Sequence, residues 1–163
     1  MSNKLSNINK FNLCKLVSDH DTYVQEVLSE YYEHNDLTEV TSEVKKYFEN
    51  KWLAYGCFVY PKNILVGYCF IKNPIKRPET MTVVLSKYRN QGVARQLRDF
   101  AINDALKNNL IKGQYIYSAV EKWNIPSLIS VLRSGYEIFR FEPSCEEGGT
   151  ADNQFIQLHK KIR

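Results

Sequence analysis

The chain predicts a mixed α/β fold, with a central sheet of about seven strands flanked by about four helices. Three observations carry this expectation. Short runs of aromatic and branched residues recur along the chain, stretches with apolar residues at helical spacing alternate with them, and clusters of Gly, Pro, Asn and Asp punctuate both. Phe11 to Val17 is the first expected strand, and Ser18-Asp19-His20-Asp21 then offers helix-capping side chains. Two helices follow, one with Val24, Val27, Leu28 and Tyr31 on one face, the other with Val40, Val44, Tyr47 and Phe48, joined by polar Glu33 to Asp36. Trp52 to Tyr60 and Ile64 to Lys72 flank Pro61-Lys62-Asn63 and form an expected antiparallel hairpin. After Asn73 to Pro78, a fourth strand is expected over Glu79 to Ser86 and a long helix from Gly92 to Asn108, burying Val93, Leu97, Phe100, Ala101 and Ala105. Tyr115 to Val120, a short helix over Ile125 to Ser134, Tyr136 to Phe141 and Phe155 to Ile162 complete the order, with a loop expected over Glu142 to Asn153.

The most informative stretch is Arg89-Asn90-Gln91-Gly92-Val93-Ala94, where the fourth strand meets the long helix. A helix start presents unpaired N–H groups at the positive end of its dipole, so a strand, a basic glycine turn and a helix together can hold a phosphate. Arg95 and Arg98 add positive charge against that dipole, as though an anion were to be met there. Downstream, Asn124 can cap a helix, Pro126 suits its first turn, and Gly135 can end it in the left-handed conformation.

The first stretch resembles motif A of the GNAT acetyltransferase superfamily, Arg/Gln-x-x-Gly-x-Gly/Ala, at Arg89, Gly92 and Ala94. Asn124 to Ser127, continuing to Gly135-Tyr136, resembles the family's later Asn-x-x-Ala/Ser, helix, Gly-aromatic element. Together they cover roughly Trp52 to Phe141. The resemblance implies a sheet splayed between strands four and five, with acetyl-CoA as co-substrate in the splay. It implies pantetheine contacts to the backbone of Val84 and Leu85, pyrophosphate held by Gln91, Gly92, Val93, Ala94 and Arg95 beside Arg89, and a pantetheine-side role for Asn124 and Ser127. The alternative reading makes Asn124 a cap alone. Many members place a tyrosine seven residues after that Asn to protonate the leaving thiolate; here the position is Val131, and valine has no proton to give.

The implied reaction is direct attack of a primary amine on the thioester in a ternary complex, helped by a backbone N–H of the fourth strand as oxyanion donor. An alkylammonium group must first lose a proton. Glu79 is the leading base candidate and Glu121, at the exit of the fifth strand, the second; each is otherwise a surface or strand-end carboxylate. For the acid, Tyr117 ranks above Tyr136, whose family position packs in the core. Glu30, Glu33, Asp36 and Glu39 in one region and Glu142, Glu146, Glu147 and Asp152 in another suggest a cationic acceptor, a polyamine-like, aminoglycoside-like or lysine-like amine. A non-catalytic acyl-CoA-binding sensor is the alternative, and donor chain length stays open.

Bulk properties narrow the class further. A chain of 163 residues suits one domain. Its 22 basic and 18 acidic residues, net +4, are spread along the sequence, which argues against nucleic-acid binding. Cys14, Cys57, Cys69 and Cys145 show no Cys-x-x-Cys spacing, and His20, His34 and His159 stand apart, so no metal is expected. Met1 to Lys10 lacks a signal-like apolar core and no run of about 18 apolar residues occurs, so a cytoplasmic protein without membrane contact is expected. The partners implied are an acyl-CoA and an amine; homodimers are common in the family, and no interface is specified here.

Overall fold

The computed structural model describes residues 11–17, 20, 23, 24, 27, 45, 48, 49, 52–62, 64–143 and 154–163. Its elements run β1 Phe11–Lys15, β2 Leu53–Val59, β3 Ile64–Lys72, β4 Glu79–Val84, α1 Val93–Lys107, β5 Tyr115–Glu121, α2 Ile125–Arg133, β6 Glu137–Pro143 and β7 Gln154–Lys161. The expected strands and the two later helices are all present, with ends shifted by one to a few residues. β4 stops at Val84, where a 3-10 turn over Ser86–Tyr88 takes over the last residue expected to be extended. Of the two earlier helices, Tyr23, Val24, Val27, Lys45, Phe48 and Glu49 are helical, Val24 and Val27 are buried, and Phe48 packs edge-on to Phe70 at 6.1 Å. Leu28, Tyr31, Val40, Val44 and Tyr47 lie outside the described residues, as does the linker Glu33 to Asp36.

The strands form one sheet in the order β1-β2-β3-β4-β5-β7-β6. All neighbours are antiparallel except β4 and β5, which the crossover through α1 makes parallel. α1 presents Val93, Leu97, Ala101 and Ala105 to the sheet, where they meet Tyr55, Val66, Cys69, Ile71, Ile116 and Leu158. Leu16, Val24, Val27, Phe58, Tyr68, Phe70 and Val83 form a second core on the opposite face. β4 therefore has apolar packing on both sides, which fixes its rotation.

Gly92 (φ 79°) and Gly135 (φ 82°) both take the left-handed conformation that their places at helix ends require. The buried cysteines behave as small apolar groups. Burial, with a smaller effect of Cys14, pushes the Cys57 thiol from 9.0 up to about 12, and burial with the hydrogen bond to Asp104 pushes the Tyr55 phenol up as well. Both groups keep their protons in the fold at a pH where the unfolded chain has begun to lose them, so stability falls as pH rises above about 9. We expect a lower urea midpoint at about pH 10.5 than at pH 8, and a smaller drop in Cys57→Val. An unchanged midpoint would show that these groups titrate alike in both states.

Candidate active site

β4 and β5 share a single ladder pair, Glu79 with Tyr117, and part beyond it towards their C-terminal ends. Around that vertex Tyr117 N–H donates to Pro78 C=O at 2.8 Å, Thr80 Oγ1 to Tyr117 C=O at 3.3 Å, and Ser118 Oγ to Thr80 C=O at 3.4 Å. The result is a wedge-shaped gap lined by main chain. Its polar character follows from strand phase. Leu85 N–H donates to Val66 C=O at 3.0 Å, and the antiparallel ladder pairs Val83 with Tyr68 and Met81 with Phe70. Because such residues alternate between facing the partner strand and facing away, Thr82 and Val84 turn their N–H and C=O groups towards the gap.

This phase corrects one expectation. Leu85 has its N–H on Val66 and its C=O on Tyr88 N–H at 2.9 Å, so its backbone is engaged, and Thr82 rather than Leu85 joins Val84 in facing the gap. The Val84 carbonyl in turn accepts Arg89 Nε at 3.0 Å. Arg89 is thus a brace that ties the turn to the end of β4.

At the mouth of the gap, α1 begins at Gly92 with no side-chain cap and no acidic residue in its first turn. The first helical bond runs from Gln96 N–H to Gly92 C=O at 3.0 Å, leaving the N–H groups of Val93, Ala94 and Arg95 at the positive helix end. A Cβ built on Gly92 meets only Gln96 Nε2, at 3.4 Å, so the turn is an open cradle of main chain. Gln91 donates its side chain back to Lys87 C=O at 3.0 Å. The two helix arginines divide. Arg95 is exposed and lies 3.6 Å from Asp99 one turn on. Arg98 turns away from the cradle and is buried, at 3% exposure, donating to Ser130 C=O at 3.2 Å and Ser134 Oγ at 2.7 Å on α2. Its charge thus meets the negative end of α2 rather than the positive end of its own helix.

Asn124 caps α2: its Oδ1 accepts from Ser127 N–H at 3.2 Å. Val131 is buried (1% exposed) in the core between α2, α1 and the sheet. Glu79 and Glu121 are not brought together. Glu79 sits at the vertex, whereas Glu121 is four residues further along β5, about 13 Å away at strand rise, at the open end. The tyrosines also separate. The Tyr117 ring is covered by the Arg77 guanidinium at 4.6 Å and meets Phe139 edge-on at 5.8 Å. Tyr136 is buried with its hydroxyl 3.0 Å from Thr80 Oγ1, directly at the vertex. Burial pushes the Tyr136 phenol up, opposed by the Thr80 hydrogen bond and the Arg98 charge. Tyr136 is therefore a core tyrosine, as its position led us to expect, with its hydroxyl on β4, while the Tyr117 side chain packs with Arg77 and Phe139.

Thr80 and Thr82 were not foreseen as site residues, and Arg98, expected with Arg95 to meet an anion at the helix start, is instead bonded to Ser130 and Ser134. Threonines in a strand read as ordinary β formers, and only the ladder phase points them at the gap. Glu30, Glu33, Asp36, Glu39, Glu146, Glu147, Asp152 and the side chain of Glu142 lie outside the described residues. Among the described residues no three His, Cys, Asp or Glu side chains are grouped to hold a metal, and no helix is long and apolar enough to cross a membrane.

Among the described strands β4 and β5 are the one parallel pair, and they part where β4 leads into the glycine turn; solved structures of GNAT acetyltransferases share this fold. An acetyltransferase of the GNAT family from Streptococcus pneumoniae superposes with a TM-score of 0.71 at 13% identity, covering 94% of this chain and 99% of that one. A mutant spermidine N-acetyltransferase from Vibrio cholerae gives 0.72 at 12% identity over 93% and 94% of the two chains. A protein from Salmonella typhimurium, solved with its cofactor acetyl-CoA, gives 0.72 at 10% identity over 94% of each. No protein-family profile and no curated protein matches the sequence. The chain has the fold of the GNAT acetyltransferases.

Proposed function

We propose that the protein is an acetyl-CoA-dependent N-acetyltransferase acting on a primary amine. The observation that carries this reading is the parting of β4 from β5 above Glu79 and Tyr117, with Thr82 and Val84 facing the gap and the Gly92 cradle at its mouth. The fold neighbours support it, since one was solved with acetyl-CoA and another is a spermidine N-acetyltransferase.

In this reading the N–H groups of Val93, Ala94 and Arg95 hold the pyrophosphate of acetyl-CoA, with Gln91, Gly92 and Arg89 shaping the turn. Val84 N–H and the polar backbone of Thr82 hold the pantetheine arm. Asn124 and Ser127 act by placing the start of α2 beside it. Acetyl-CoA supplies an activated acyl group. Thr82 N–H is the donor placed to polarise the thioester carbonyl, an interaction commonly worth about 3 kcal/mol in acyl-transfer sites. Glu79, at the vertex, takes the proton of the incoming ammonium group, with Glu121 the second candidate. The cationic acceptor class rests on the acidic segments of the sequence.

Glu79→Gln is expected to lower kcat/KM by about a hundredfold or more and to remove the acid limb of its pH profile, while Glu121→Gln leaves both nearly unchanged. An unaltered profile in Glu79→Gln would remove Glu79 from the mechanism. The test of the whole reading is calorimetric titration with acetyl-CoA, free CoA and dephospho-CoA, followed by thiol release with a panel of amines. Binding with release supports the enzyme. Binding without release for any amine favours the acyl-CoA sensor, the reading that the buried Val131 keeps in view. Absence of binding removes both.

A further inference from the structure

Three buried hydroxyls meet where β4 and β5 part, from Thr80 on β4, Ser118 on β5 and Tyr136 in the turn after α2. The register identifies what they replace. β4 and β5 pair only at Glu79 and Tyr117, and the next step of a parallel ladder would pair Met81 with Ala119, bringing Thr80 C=O onto Ala119 N–H. That pair is not formed, and Thr80 C=O accepts Ser118 Oγ at 3.4 Å instead. Beside it, Thr80 Oγ1 donates to Tyr117 C=O at 3.3 Å. Its single proton is then engaged, so Tyr136 OH donates to Thr80 Oγ1, at 3.0 Å. A buried carbonyl stripped of its ladder partner is costly, and a hydroxyl removes that cost without drawing the two strands together. Parallel strands covered on both faces ordinarily carry apolar side chains, so three hydroxyls converging on this one point call for a local reason.

Building on the acetyltransferase reading, we propose that Thr80, Ser118 and Tyr136 form a hydroxyl latch that ends the β4–β5 ladder after one pair and holds the gap open for the pantetheine arm. They are positioning residues. Thr82 and Val84 stand two and four residues beyond Thr80 and carry the backbone groups that this reading assigns to the arm, so the separation of β5 from β4 at Thr80 sets the room beside them. Through Tyr136 the latch also ties the C-terminal end of α2 to β4, and the start of α2 carries Asn124 on Ser127. The Gly92 cradle lies outside the latch, beyond the other end of β4. Loosening the latch therefore acts on the arm and leaves the phosphates in place.

The test is calorimetric titration of a variant carrying both Thr80→Val and Ser118→Ala with two ligands, acetyl-CoA and 3′-phospho-ADP, the nucleotide half of CoA that keeps the phosphates and lacks pantetheine. Affinity for acetyl-CoA should fall at least about tenfold, the scale of two lost hydrogen bonds, while that for 3′-phospho-ADP changes by less than about twofold. Thr80→Ser, which keeps the hydroxyl, should hold acetyl-CoA within about twofold of the unaltered protein. Equal losses for the two ligands would mark general damage to the fold and overturn the proposal, as would unchanged acetyl-CoA affinity in the folded variant. Should that variant not fold, Tyr136→Phe, which removes a single oxygen, is read by the same split, with an expected loss of about threefold for acetyl-CoA alone. Absence of acetyl-CoA binding by the unaltered protein would instead overturn the acetyltransferase reading on which this rests, and the latch's role with it.

Discussion

Replacing Gly92 by valine should lower the affinity for acetyl-CoA by at least about a hundredfold, or about 2.7 kcal/mol. Two separable effects contribute. At φ 79° an L residue costs roughly 1–2 kcal/mol, and a β-branched one is placed worst, so the turn itself is destabilised. The added side chain would also stand in the cradle. Its Cβ has room in the protein alone, where the nearest atom is Gln96 Nε2 at 3.4 Å, so any further loss must come from what the cradle holds. Gly92→Asn separates the two, because asparagine tolerates the left-handed conformation. It should recover most of the stability and little of the affinity. Calorimetry with acetyl-CoA, run beside urea unfolding, measures both. Full affinity in a folded Gly92→Val protein would place the phosphates elsewhere.

Leu97→Ala should be the most damaging truncation on α1. Leu97 is fully buried (0% exposed) between the helix and the sheet, and removing its side chain costs about 2–5 kcal/mol through lost burial and the cavity left behind. Against a total stability of about 5–15 kcal/mol this lowers the melting temperature by roughly 4–20 °C. Ile75→Ala, at a residue 57% exposed in the loop before β4, should change stability by no more than about 0.5 kcal/mol. If thermal unfolding gave the two variants similar midpoints, the packing of α1 on the sheet would be wrong. Because α1 also positions the Gly92 cradle, Leu97→Ala should weaken acetyl-CoA binding as well, by less than Gly92→Val.

Much of the architecture was legible in residue order. Apolar periodicity marked the α1 face that packs on the sheet, with Val93, Leu97, Ala101 and Ala105 buried as expected and Phe100 only partly so. Turn chemistry marked both helix ends, with Gly92 before α1 and Gly135 after α2, and Asn124 as the cap. Side-chain targets were far less legible. Arg98 and Arg95 look alike in sequence, both basic and early in one helix. They are three residues apart, about 300° around it at 3.6 residues per turn, and α2 covers Arg98 alone. The two tyrosines also differ in surroundings that sequence does not show. Tyr117 alternates out to the face shared with Phe139, while Tyr136 is carried by the turn after α2 to the hydroxyl of Thr80.

Among the described residues, the sequence by itself determined which segments are strands, where α1 and α2 start and stop, and that a glycine turn with open helix N–H groups follows β4. These depend on local backbone preferences and on the period of apolar residues, both of which are written in consecutive positions. The tertiary structure alone decided that β4 and β5 touch at a single pair, that Thr82 rather than Leu85 faces the gap they leave, and that Arg98 is buried against the end of α2. Each of these depends on register between strands or on which helix covers which face. Register shifts by one residue without changing any local preference, yet it turns every N–H and C=O of a strand from its neighbour to the open side.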